Sequence, residues 1–150
     1  MDKPFRLNPA YRYSAFGIGL AVVGFCGWQM LSLPFFGHYP LGFMLGAYMV
    51  VLALFLPRIV KSSKDLLHLG LATLSGLALW LGFPTMPFTF LLFVAFVPLL
   101  LIEDDLQSRY SKRTVIRLAF YSFHAFFIWN ILSTYWVDNS AFMAGVFAHV

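Results

Sequence analysis

The sequence predicts an all-α, polytopic integral membrane bundle with about five complete transmembrane helices, the start of a sixth, and a cytoplasmic N-terminus. Three observations predict it. The chain is 61% hydrophobic and 11% charged with a mean hydropathy of +0.80, whereas a water-soluble domain carries about 25% charged residues. All ten Lys and Arg residues fall into three clusters: Lys3, Arg6 and Arg12; Arg58, Lys61 and Lys64; and Arg109, Lys112, Arg113 and Arg117. Two apolar stretches lie between each consecutive pair of clusters. Basic residues near span ends tend to stay in the cytoplasm. The connections at 34–40, 83–87 and 135–140 lack Lys and Arg and are therefore expected outside, with Asp138 their only acidic residue.

The spans follow in order. Residues 14–33 form the first, and 20 residues of helix rise about 30 Å, the thickness of the hydrocarbon core. The stretch has no small-residue cleavage site before Pro34, so it does not resemble a signal peptide. Residues 41–57 and 66–82 give the second and third spans. Residues 88–102 form a shorter fourth, in which Pro98 removes a backbone donor that neighbours must compensate. Glu103, Asp104 and Asp105 read as a solvated loop on the cytoplasmic side. Residues 117–137 form the fifth span, ending in the interfacial aromatics Tyr135 and Trp136. Residues 141–150 begin a sixth, and ten residues rise only about 15 Å. The expected organisation is an N-terminal hairpin over residues 1–65 and a second membrane region over 66–150, with the chain read as the N-terminal part of a longer protein.

The basic balance, a net charge of +4 and a pI near 9.4, does not indicate nucleic acid, because the cations flank apolar spans and no RNA- or DNA-binding motif surrounds them. Cys26 is the single cysteine, so there is no disulfide framework and no Cys/His metal spacing. It also lacks a His, Lys or carboxylate within one turn to generate thiolate, and reads as small hydrophobic filler. No metal site, cofactor or catalytic constellation is expected within the chain.

Small residues mark possible close helix contacts: Gly42 with Gly46, and Ala72 with Gly76. Among polar residues, His124 lies about two turns inside the fifth span, where an ionisable group needs a partner or water. It is either a site or a hydrogen-bonded packing residue. Asn130, Ser133 and Thr134 share one helical face near the outer end, lining a polar groove or joining helices. His38 and His68 sit near span ends, where water is expected to satisfy them.

Two stretches carry a family resemblance. LSGLALWLGFPTMPFTFLLFVAFVPLLLIEDD, residues 74–105, resembles the opening hairpin of apolipoprotein N-acyltransferases: a small-residue helix, an aromatic-proline outer turn, and an apolar helix closing in a Val-Pro-Leu-Leu run. FHAFFIWNILSTYWVDNSAFMAGVFAHV, residues 123–150, resembles the span that follows, with a Trp-containing outer end, a short polar turn and a Gly-rich helix start. Residues before about Leu66 are additional to the usual family pattern.

The resemblance implies a bacterial inner-membrane, multi-pass protein whose partners are a phospholipid, a diacylated lipoprotein and membrane lipids. It implies a ping-pong transfer, in which an acyl chain moves to a cysteine and then to the N-terminal amine of the lipoprotein. The family's Glu, Lys and Cys triad belongs to a nitrilase-like domain, and no residue here matches it. Phe83, Trp136, Asn139 and Ser140, at outer span ends, are the candidates for facing lipid or substrate. An alternative class is a small non-enzymatic membrane protein, a transporter subunit or assembly partner using His124 and the Asn130 face.

Overall fold

The computed structural model describes residues 9–33, 36–83, 86–108 and 113–134. Among them every regular element is helical. The elements are α1 (Pro9–Ser32), α2 (Tyr39–Ile59), α3 (Ser63–Leu81), a 3₁₀ turn (Thr89–Phe93), α4 (Val97–Gln107) and α5 (Thr114–Thr134). Three are long and apolar enough to cross a membrane: α1 with 24 residues, and α2 and α5 with 21 each. The helices form two compact units, one holding α1 and α2 and the other spanning residues 63–133.

In the first unit, α1 and α2 pack through small residues. The chain turns at Gly37, whose φ of +57° lies in the left-handed region that favours glycine. Pro40 is therefore not a turn residue: it stands in the first turn of α2, where its missing N–H removes no helical bond. A side chain at Gly19 would begin 2.9 Å from the Gly46 carbonyl, and one at Gly46 would begin 3.1 Å from the Gly19 carbonyl. The two backbones approach as only glycine permits, which gives the Gly42 and Gly46 pair its packing role. Buried Cys26 sets its Sγ against Gly42. The opposite surfaces of the hairpin expose Ile18, Leu20, Phe25, Trp28 and Leu31 on α1, and Val51, Leu54 and Phe55 on α2. Such an apolar exterior is suited to hydrocarbon rather than to water.

The second unit departs from the expected pair of continuous spans. Residues 88–102 do not form one helix: a 3₁₀ turn and a bend precede α4, which has 11 residues and starts at Val97. Eleven residues of helix rise about 16 Å, half of the hydrocarbon core. Pro98 is the reason, because its ring occupies the first turn of α4 and provides no N–H for the carbonyl one turn back. That carbonyl, on Val94, instead accepts the Val97 N–H at 3.0 Å, and the Leu91 carbonyl accepts both Val94 and Ala95 N–H groups. The Ser75 hydroxyl on α3 donates to the Ala95 carbonyl at 2.5 Å, so a side chain from the neighbouring helix completes the irregular backbone. The third helix, α3, starts with Ser63, Lys64 and Asp65, so its apolar part is shorter than the helix itself. Five α-helices are thus described, but three of them are both long and apolar enough to cross a membrane, and the expected sixth span lies outside the described residues.

α3 and α4 run antiparallel, since Lys64 meets Asp105 while Ser75 meets Ala95. α5 packs against α3 at Gly76, where an added Cβ would begin 2.5 Å from the Ala125 carbonyl. The buried face of α5 carries Thr114, Tyr121, His124, Ala125 and Ile131.

Candidate functional site

Phe83 follows α3 and is half-buried, with its ring edge-on to Trp129 of α5 at 6.5 Å. Trp129 in turn meets Phe126 at 6.2 Å, and Phe126 meets Phe96 at 6.2 Å. Four aromatics therefore link the end of α3, the start of α4 and the C-terminal half of α5. Edge-on and tilted ring pairs of this kind contribute about 0.5–1.5 kcal/mol each beyond their area burial. The Trp129 indole N–H is buried and has no hydrogen-bond acceptor among the described residues. Trp136, Asn139 and Ser140, the other candidates, lie outside the described residues.

His124 is 3% exposed, and its Nε2 lies 2.8 Å from the Thr73 hydroxyl of α3. The Thr73 hydroxyl proton is already donated to the Leu69 carbonyl at 2.9 Å. A hydroxyl has one proton, so with that proton on Leu69 the contact has His124 donating through Nε2–H, the tautomer setting the direction. The Phe120 ring stacks on the imidazole at 6.4 Å. Thr73→Val keeps the shape and removes this acceptor. It is expected to lower stability by about 1 kcal/mol, in line with side-chain hydrogen bonds between membrane helices, as read by thermal unfolding in detergent; an unchanged midpoint would mean that the contact contributes nothing. Asn130, Ser133 and Thr134 are half-buried in the last turns of α5. Asn130 stands six residues beyond His124, about 240° around the helix, so the two do not share a face.

Two features at the opposite end of α3 differ from the sequence expectation. The acidic residues are not a loop, because Glu103, Asp104 and Asp105 lie within α4. His68 is not satisfied by bulk water: it is 4% exposed, with Nε2 3.2 Å from the Asp105 carboxylate. Lys64 reaches the same carboxylate at 3.6 Å. One turn away, Arg117 of α5 donates to Asp65 at 3.1 Å, and the Tyr121 hydroxyl donates to the Asp65 backbone carbonyl at 3.3 Å. Tyr121 stands edge-on to His68 at 5.5 Å, joining the two pairs. Sequence reasoning treated Lys64 and Arg117 only as interfacial anchors. The spacing of Lys64 and His68, one turn apart on one face, was the available signal, but it does not identify a partner on another helix.

The described helices, with apolar exteriors and polar pairs turned inward, define a helical membrane protein. Residues 75–149, half of the chain, match the family model for the apolipoprotein N-acyltransferase N-terminal domain. The chain belongs to that family. No curated protein and no solved structure matches it.

Proposed function

We propose that this chain serves, as membrane segment, the transfer of a phospholipid acyl chain to the N-terminal cysteine amine of diacylated lipoproteins in the bacterial inner membrane. The family match over residues 75–149 carries this reading. Both substrates are lipids, so a membrane segment contributes by holding acyl chains beside the reacting groups, lowering the entropic cost of bringing them together. The aromatic group around Phe83 and Trp129 supports a lipid-facing role at that end. Phe83, Trp136, Asn139 and Ser140 would contact lipid or its headgroup, while Asn130, Ser133 and Thr134 would set a polar edge of the bundle and His124 would tie α5 to α3 inside it. The covalent chemistry requires the family's nitrilase-like part with its Glu, Lys and Cys, to which no residue of these 150 corresponds. Residues 1–65 are an additional hairpin, and residues 66–150 open the family's membrane domain.

The proposed topology has the N-terminus in the cytoplasm, five crossings and the start of a sixth, with the shorter α3 and the Pro98-broken α4 region completing a crossing pair. In a Cys26→Ala background, His38→Cys should react with an impermeant maleimide from the outer face and Ser62→Cys should not. The reverse pattern would invert the topology.

The functional test is complementation in cells depleted of their own N-acyltransferase, read by the mass of a lipoprotein N-terminal peptide. Residues 1–150 alone are expected to leave the peptide diacylated, and co-expression with a nitrilase-like domain from the same organism should yield the triacylated form. Triacylation by the chain alone would overturn the division of labour, and its absence in both arms would overturn the proposed function.

A further inference from the structure

Gly27, Met30 and Leu31 of α1, Phe36 of the turn and Phe43 of α2 line an apolar cavity of about 310 Å³ at the turn end of the first hairpin. Leu31 beside it is 89% exposed. Gly27 makes room here rather than a backbone contact. Among the described residues, the one neighbour within 4 Å of a Cβ added at Gly27 is Phe43, at 3.5 Å. The space equals that of about ten waters, but no polar side chain lines it to hold water. Atoms that face a void lose their dispersion contacts, so the cleft calls for an apolar occupant.

The chain that follows α5 has the chemistry and the position of that occupant. Thr134, the last described residue, groups with α1 and α2, whereas Ser133 groups with the second unit. With the five proposed crossings, α1 and α5 end on the same side of the membrane. A sixth span over residues 141–150 then re-enters at the depth of the cleft. Gly27 lies about 8 Å below the end of α1 at Ser32, and Phe147 would lie about 9 Å below Ala141. The segment reads AFMAGVFAHV, with the large Met143 and Phe147 one turn apart on one face. Ala144, Gly145 and Ala148 beside them are small, which permits close backbone approach between membrane helices. A thioether brought against Phe36 or Phe43 makes a favourable sulfur–aromatic contact. A helix also brings side chains that are already ordered, whereas a lipid tail gives up its freedom to lie in a fixed cleft.

We propose that Met143 and Phe147 of the sixth span enter this cleft and pack on Gly27, Phe36 and Phe43. The family match includes both residues but neither α1 nor α2, so the contact couples the added hairpin to the family's membrane domain. The proposal rests on the five proposed crossings, and neither on acyl transfer nor on which face is cytoplasmic.

The test uses the 150-residue chain in membranes, with Cys26→Ala removing its single natural thiol. Leu31→Cys is combined with Met143→Cys or with Val150→Cys and oxidised with copper phenanthroline, and closed and open chains are counted by mass spectrometry after alkylation. A disulfide needs Cα atoms within about 7 Å. Met143→Cys should close onto Leu31→Cys within one chain at least about fivefold more than Val150→Cys, which shares its helical face but lies about 10 Å deeper. His38→Cys and Asn139→Cys, made singly, should react with an impermeant maleimide from the same face. Labelling from opposite faces would overturn the crossing count and the docking together. With same-face labelling, three results would overturn the docking alone: equal closure of the two pairs, no closure because a lipid tail fills the cleft, or disulfide dimers as the main product because a second copy does.

Discussion

Gly76→Leu is expected to force α3 away from α5 and to destabilise the second unit by about 3 kcal/mol, the upper end of what overpacking a well-packed contact costs. An added Cβ would begin 2.5 Å from the Ala125 carbonyl and 3.1 Å from the Ile128 Cβ. Neither can yield as a flexible side-chain tip would, because one is backbone and the other is a branch point fixed to it. The rest of the leucine must then occupy space already held by α5. Separation also lengthens the Thr73 to His124 contact and the Asp65 to Arg117 pair, which join the same two helices. Gly70→Leu is the matched control, since nothing lies within 4 Å of an added Cβ there, and leucine has the better helix propensity by about 0.7 kcal/mol. Denaturant or thermal unfolding in detergent should therefore separate the two variants clearly. Equal midpoints would mean that the close approach of α3 and α5 is not what holds this unit together.

The second large effect concerns the pair of Asp65 and Arg117. Asp65 has a side chain 4% exposed, while the Arg117 side chain is 33% exposed. Arg117→Met leaves a carboxylate desolvated with its countercharge gone, and is expected to cost about 3 kcal/mol. Asp65→Leu should cost less, about 2 kcal/mol, because the long Arg117 side chain can move its guanidinium toward water or headgroups. The double variant should lose less than the sum, with a coupling of about 2 kcal/mol, since removing both charges leaves neither stranded. A thermodynamic cycle of the four proteins measures this directly. Strict additivity would show that the two side chains do not act as a pair.

The sequence singled out Phe83 as an aromatic at the end of an apolar stretch; its contact with Trp129 was not legible, because it joins the end of one helix to a residue on another, far along the chain. His124 was legible as an ionisable residue inside an apolar stretch, yet its partner, the Thr73 hydroxyl on another helix, was not. The acidic residues show the reverse failure. Three consecutive carboxylates after an apolar run read as a solvated loop, and the loss of Asp105 to a pairing with Lys64 and His68 has no local signature. Pro98 gave a correct warning, since the missing donor was evident, but composition could not decide between a kinked span and a helix that starts at the proline.

The sequence by itself determined that the chain is helical, apolar and built for a membrane, and its second half placed it in its family. These follow from local properties: hydropathy, period and residue order are carried by each segment independently. Tertiary structure alone decided which charges pair, which glycines touch, and that a charged cavity opens between α3 and α4. Each of these depends on what a second helix brings within a few ångströms. Ser75 shows the physical reason: its hydroxyl could have served its own helix, and only the arrival of the Ala95 carbonyl gives it the task of completing another segment's backbone.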